Sequence, residues 1–226
     1  MSVGFARKRA PARPDLGAPV GAIRVGTIRN TRRNLLFGAA LWPLSRPATA
    51  QVSATTQVSA TLPEVPFVPT PMNVVWNMLD MASVGRNDHL IDLGCGDGRI
   101  VTEAARRGAS AHGVDLDAVL IALCRRRARD LGLEARATFA QQDIFETDLR
   151  PASVVTLYLL PEDNLKLRDK LTRELAPGSR VVSHDWPMGD WVPDARLTLS
   201  TPDKQVGGDG RSRIYMWVMP PRGGGR

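Results

Sequence analysis

From residue 72 onward, apolar and polar positions switch repeatedly between a helical period and a strand period. Met72 to Ser83 sets Val74, Val75, Met78, Leu79 and Ala82 at helical spacing, and Gly85 closes the segment. A short buried strand carrying Leu90, Ile91 and Leu93 follows and runs into a cluster of glycines, after which Ile100 to Arg107 reads as a short helix. Ser110 to Val114 is the next strand. Asp117 to Leu131 is a helix with an apolar inner face and an arginine-rich outer face, and Ala137 to Gln141 is the third strand. Ser153 to Leu160 (SVVTLYLL) is an almost unbroken apolar run, as a strand covered on both sides must be. Glu162 to Leu175 is helical and is closed by Pro177-Gly178; Arg180 to His184, Leu197 to Ser200 and Arg213 to Met219 are the remaining strands. The alternation predicts an α/β fold: a doubly wound, mostly parallel, seven-stranded sheet with helices on both faces and an antiparallel late strand.

Upstream of residue 72 the pattern is of another kind. Thr31-Arg32-Arg33 precedes a ten-residue apolar run, Leu35 to Leu44, and a small-residue ending at Ala50, which together read as a twin-arginine export signal over residues 1–50. Too few serines and an unbroken apolar centre speak against a mitochondrial transit peptide, and ten residues are too few for a helix to span a bilayer. A periplasmic location with cleavage after Ala50 is the expectation, with a cytoplasmic one as the alternative. Residues 51–71 hold a near-duplicated QVSAT and prolines at 63, 66, 69 and 71, so they read as a linker and extended arm leading into a domain over 72–226.

That division changes the meaning of the +7 formal charge. Residues 1–50 hold nine of the 30 basic residues and one acid, Asp15, leaving 21 basic against 22 acidic residues in the rest of the chain. A near-neutral domain has no general pull on a polyphosphate, so no nucleic-acid partner is expected. No stretch of the mature chain is expected to span a membrane. Two cysteines, Cys95 and Cys124, give neither a disulfide framework nor a metal set and read as packing residues.

The candidate chemistry sits in HLIDLGCGDGRI, His89 to Ile100. In open parallel sheets a ligand lies beyond the carboxyl ends of the strands, and glycines at the first turn let it approach the backbone. The spacing is G-x-G-x-G rather than the G-x-G-x-x-G of dinucleotide sites, and Asp92 precedes Gly94 by two, which disfavours a pyrophosphate and suits a cationic amine. Asp115 closes the second strand, where a ribose diol is gripped, and Asp143 follows the third, placed to accept from an exocyclic amine. Cation, ribose and aminopurine together describe S-adenosylmethionine. Asp117, directly ahead of its helix, reads instead as an N-cap.

DLGCGDG with VDLD and QDIFETD resembles the class I S-adenosylmethionine-dependent methyltransferases over Pro69 to about Pro220, which implies their Rossmann-like fold. FVPTP (Phe67 to Pro71), VVTLYLLP (Val154 to Pro161) and VVSHDWPMGDW (Val181 to Trp191) are similar to the lysine methyltransferases acting on the c-ring protein of ATP synthase and the adenine nucleotide translocase, above all to their bacterial relatives. The resemblance implies an enzyme that N-methylates an accessible lysine of a protein. It also implies that Asp92, Gly94 and Gly96 border the methionine part of the cofactor, Asp115 holds the ribose, and Asp143 with Ile144 holds the adenine. Thr70, on the arm, is a further candidate contact.

Methyl transfer to an amine needs a deprotonated nucleophile held in line with the methyl group. Candidates lie at the ends of the fourth and fifth strands: Tyr158, His184, Asp185 and Trp186, with Asp185 to accept from the amine and the aromatic faces of Tyr158 and Trp186 to favour the cation. Core packing for the aromatics and a capping role for Asp185 are the plain alternatives. Leu-Leu-Pro stands where enzymes acting on nucleobase amines carry Asn/Asp-Pro-Pro-Tyr. A small-amine methyltransferase and a non-catalytic adenosylmethionine-binding module are the other functions the sequence leaves open.

Overall fold

The computed structural model describes residues 67–206 and 209–221; the expected export leader and the linker up to residue 66 lie outside the described residues. In chain order the elements are α1 (Met72–Met81), β1 (His89–Leu93), α2 (Arg99–Arg106), β2 (Ser110–Asp115), α3 (Ala118–Asp130), β3 (Ala137–Gln141), β4 (Val154–Leu157), α4 (Pro161–Glu174), β5 (Arg180–His184), β6 (Ala195–Ser200) and β7 (Arg211–Val218). The strands form one seven-stranded sheet in the order β3-β2-β1-β4-β5-β7-β6. Strands β1 to β5 pair in parallel, and β7 enters antiparallel between β5 and β6. The fold read from the sequence is therefore present, with β7 as the late antiparallel strand.

Strand alternation feeds two cores. Leu90, Val154 and Val182 join Val74, Met78, Ile100, Ala104 and Cys124 under α1, α2 and α3, while Ile91, Leu93, Val155, Leu157 and Val181 join Leu167 and Leu171 under α4. Each fully buried aliphatic side chain contributes about 1.5–3 kcal/mol relative to exposure, which is why helices of modest intrinsic stability dock on both faces. α3 starts where the Asp117 carboxylate accepts from the Val119 and Leu120 amides at 2.7 and 3.2 Å, the N-cap expected of it. α4 starts on Pro161, a residue with no amide proton to leave unbonded.

Of the boundaries that differ from the sequence pattern, two are informative. β4 stops at Leu157 although the apolar run continues to Leu160, because pairing with β5 ends at Leu157 opposite Ser183 and the chain then turns into Pro161. Tyr158 and Leu159 are apolar for reasons other than sheet packing. β6 starts at Ala195, before the expected Leu197, and as a largely exposed edge strand it carries no strong apolar signal there.

The parallel strands all end at one edge of the sheet. β7 runs the other way, so it starts at that edge, and Lys204, which follows β6, meets Asp185 there as well.

Candidate active site

The turn after β1 is built from backbone. Gly94, Gly96 and Gly98 hold φ of 75°, 52° and 73°, a region that costs side-chain-bearing residues steric strain. The Gly94 and Cys95 amides donate to the Val114 carbonyl at 2.9 Å, tying the turn to β2. The Gly96 amide donates to Asp115 Oδ2 at 2.9 Å, and the Asp117 amide donates to Oδ1 at 3.0 Å, so Asp115 is fixed against the turn. A Cβ on Gly94 would meet Leu159 Cδ2 at 2.8 Å, and one on Gly96 would meet the Phe67 ring at 2.1 Å. The arm and the end of β4 thus close over the two glycines. Thr70 is buried and its carbonyl accepts from Arg99 Nη1 at 2.7 Å, which anchors that arm to α2. Cys95 and Cys124 are buried beneath the turn, and Cys124 Sγ donates to the Gly96 carbonyl at 3.1 Å. The Cys124 sulfur and burial push the Cys95 thiol up, consistent with packing roles for both.

Asp92 lies at the heart of this edge. Thr156 donates to its Oδ1 at 2.6 Å from the facing position on β4. Its Oδ2 is buried and receives no hydrogen bond among the described residues. Burial pushes the carboxyl up to about 7, with the Thr156 bond opposing and the Asp115 and Asp97 charges adding to the rise. Further along the sheet edge, Asp143 Oδ1 accepts from the Phe145 amide at 2.8 Å, and Ile144 is half-buried against the α4-side core. Leu116, next to Asp115, is 65% exposed, a large apolar side chain turned outward between two candidate contacts.

A second group gathers at the ends of β4 and β5. Asp185 holds a φ of 64°, and the Trp186 amide bonds the His184 carbonyl at 2.8 Å across it, a γ-turn of the rare positive-φ kind. Such backbone strain persists only where surroundings over-determine it. Here Asn164, fully buried on α4, donates to Ser183 Oγ at 3.1 Å and to the Trp186 carbonyl at 3.0 Å, while Ser183 Oγ donates to the same carbonyl at 2.6 Å. On the other side the Asp185 amide donates to the Arg213 carbonyl at 2.6 Å, and the Arg213 amide to Asp185 Oδ1 at 3.0 Å. Oδ2 faces Lys204 Nζ at 2.6 Å. The Tyr158 and His184 rings stack with centroids 4.0 Å apart. Burial, then the Asp185 charge and a hydrogen bond to that carboxylate, push the Tyr158 hydroxyl up to about 12. Trp186 is 40% exposed.

The comparisons with known proteins are specific. The model of the ANTKMT methyltransferase domain matches residues 92–195. A protein-lysine N-methyltransferase of Saccharolobus islandicus is 38% identical over 160 residues, covering 70% of this chain and 96% of that protein. The chain belongs to the same family as that protein-lysine N-methyltransferase. The adenine nucleotide translocase lysine N-methyltransferase of Mus musculus is 34% identical, with 72% of this chain and 66% of that protein covered. A structure described as an RNA methyltransferase from Salinibacter ruber with S-adenosyl-L-homocysteine superposes with TM-score 0.61 at 45% identity, covering 68% of this chain and 94% of that one.

The site of this methyltransferase fits adenosylmethionine. Asp92 Oδ2 is a buried acceptor with no partner among the described residues, which a cationic amine would satisfy, and the lack of a Cβ on Gly94 and Gly96 lets Leu159 and Phe67 lie directly against the turn. The sequence singles out Thr70, Asp92, Gly94, Gly96, Asp115, Asp143 and Ile144 for the cofactor and Tyr158, Asp185 and Trp186 for the amine; the fold puts Thr70 on the arm, Asp92 to Ile144 at or after the ends of β1, β2 and β3, and the last three after β4 and β5. Thr156, Asn164 and Lys204 are absent from that set. A lone threonine inside the apolar run of β4 and an asparagine on the buried face of α4 are signals available for the first two; Lys204 sits in a turn-rich segment with no pattern around it.

His184, fully buried, is pushed down to about 4 by desolvation, the Asp185 charge opposing that shift and Lys204 adding to it, so the ring is neutral at pH 7. Its stabilisation is present above the ordinary value of 6.5 and is lost as pH falls through about 4. Asp92 behaves oppositely: its protonated form stabilises the fold below the ordinary 3.8, and that contribution is lost as pH rises through about 7. Between the two ordinary values the slopes offset one another. Asp92→Asn is therefore expected to make Tm fall more steeply than wild type on acidification across that window, and His184→Gln less steeply. Melting curves of the cofactor-free proteins measure this, and parallel Tm profiles for all three would contradict the buried-group account.

Proposed function

We propose that this S-adenosylmethionine-dependent methyltransferase methylates the side-chain amine of a protein lysine, with Asp185 as the carboxylate that receives the amine. One observation carries the reading: Asp185 Oδ2, in a side chain only 8% exposed, already holds a lysine ammonium at 2.6 Å. The names of the relatives from Saccharolobus and mouse support the same acceptor.

Bound adenosylmethionine supplies a methyl group on a positive sulfonium, open to in-line attack by a neutral amine. Asp92 would hold its amino group, Asp115 the ribose, and Asp143 with Ile144 and Leu116 the adenine. Asp185 holds the incoming ammonium and is positioned to take its proton. Tyr158, kept protonated by burial and by the Asp185 charge, stays an uncharged donor beside that carboxylate. His184, neutral at pH 7, sits 3.5 Å from Asp185 Oδ2 without adding a repelling charge. The exposed Trp186 face suits the alkyl stem and cation of a lysine.

An RNA acceptor is the second reading, favoured by the description of the Salinibacter protein. The near-neutral charge of residues 51–226 and the Leu159-Leu160-Pro161 segment favour lysine over it. Tritiated adenosylmethionine incubated with the full chain and cell extract is expected to label material destroyed by protease and recovered as methyl-lysine. Label sensitive to nuclease instead, or cofactor binding by calorimetry with no transfer at all, would overturn the lysine reading. We further propose export through the twin-arginine route, which carries folded proteins and so would carry a bound cofactor with the chain; fractionation of tagged full-length protein, with the twin Arg32-Arg33 changed to lysines as the control, tests it.

A further inference from the structure

We propose that Lys204 is itself a methyl acceptor, brought to the amine site by the β6–β7 connection; this rests on the reading of Asp185 as the amine-holding carboxylate. Lysine is among the residues least often buried, yet the Lys204 side chain is 5% exposed and its Nζ donates to Asp185 Oδ2 at 2.6 Å and to the Arg211 carbonyl at 2.7 Å. The chain uses arginine for 26 of its 30 basic residues, and its four lysines are Lys8, Lys166, Lys170 and Lys204. Lys8 lies outside the described residues. Lys166 and Lys170 pair along α4 with Asp163 and Glu174 at 3.1 and 2.8 Å, away from Asp185. A cation needed only to tie the loop to β5 could be arginine, whose planar fork binds a carboxylate with two bonds. Lysine differs in one respect that matters here: it can become a nucleophile.

The two acceptors around Nζ fit that role. An ammonium carries three protons, and loss of one leaves the two N–H groups that Asp185 and Arg211 receive, with a lone pair on the remaining corner. The one proton lost by the ammonium would pass to the Asp185 carboxylate; transfer would then form the Nζ–CH3 bond as the S–CH3 bond breaks, the electron pair staying on sulfur to give S-adenosylhomocysteine and the positive charge ending on the methylated nitrogen. The connection has room to adjust, since Thr201 to Lys204 wall a cleft of about 130 Å³ with Pro71 and Asn73. A single methyl group leaves two N–H donors for these two acceptors, and only repeated methylation would strip them and release the site to an external lysine.

The full chain incubated with trideuteromethyl adenosylmethionine is expected to carry the label on Lys204 and not on Lys166 or Lys170, read by tandem mass spectrometry. Lys204→Arg keeps the ion pair and should carry no label. A second readout needs no turnover: without cofactor, acetic anhydride should modify Lys204 several times more slowly than Lys166, and Asp185→Asn should abolish that protection. Unlabelled Lys204 in a preparation that methylates lysines of other proteins overturns the proposal alone, as does acetylation of Lys204 at the rate of Lys166. A preparation that binds adenosylmethionine and methylates no lysine anywhere overturns the lysine reading with it.

Discussion

Asp92→Ala is expected to weaken adenosylmethionine binding by roughly 10- to 150-fold, the loss of a charge-assisted hydrogen bond of about 1.5–3 kcal/mol. The carboxylate sits in the β1 strand end, fixed by Thr156, so the rest of the cradle survives the change. The pH dependence separates this from a mere packing defect. Binding needs Asp92 ionised, and burial holds that carboxyl near 7. It also needs the ligand's α-amino group protonated, and such amines ordinarily titrate at about 7.7–8.0. Wild-type affinity should therefore peak just above pH 7 and fall on both sides, whereas Asp92→Ala should lose the acid limb and keep the alkaline one. Calorimetric titrations across that range measure it; an acid limb that survives in the variant assigns the titration to some other group.

Asp185→Asn is expected to lower turnover by about 10² to 10⁴, the usual range for loss of a general base, while leaving adenosylmethionine affinity unchanged. Asparagine is the fitting replacement because it tolerates the left-handed backbone that Asp185 adopts, so the γ-turn survives. Loss of cofactor affinity in step with turnover would move Asp185 out of the amine site and into the cradle.

The strand ends that make up the candidate cofactor half of the site were legible because their determinants are local. A glycine turn after a buried strand, and acids at the ends of the next two strands, follow from the α/β alternation and from simple sterics, and Asp92, Asp115 and Asp143 fall where that logic sets them. The acceptor half depends on contacts between distant segments. Lys204 reaches Asp185 only because β7 inserts antiparallel between β5 and β6, and Asn164 reaches the Trp186 carbonyl only because α4 packs against that end of β5. No periodicity encodes either meeting. The apolar run through Leu160 misled for a related reason: Leu159 is apolar to cover Gly94, a purpose indistinguishable in sequence from a longer strand.

The Phe67 ring lies so close to Gly96 that it stands where any side chain there would be. Aromatic cover of this kind makes the backbone of the turn answer to a residue 29 positions earlier in the chain, so a smaller side chain at 67 would bare Gly96 with the turn's own sequence intact.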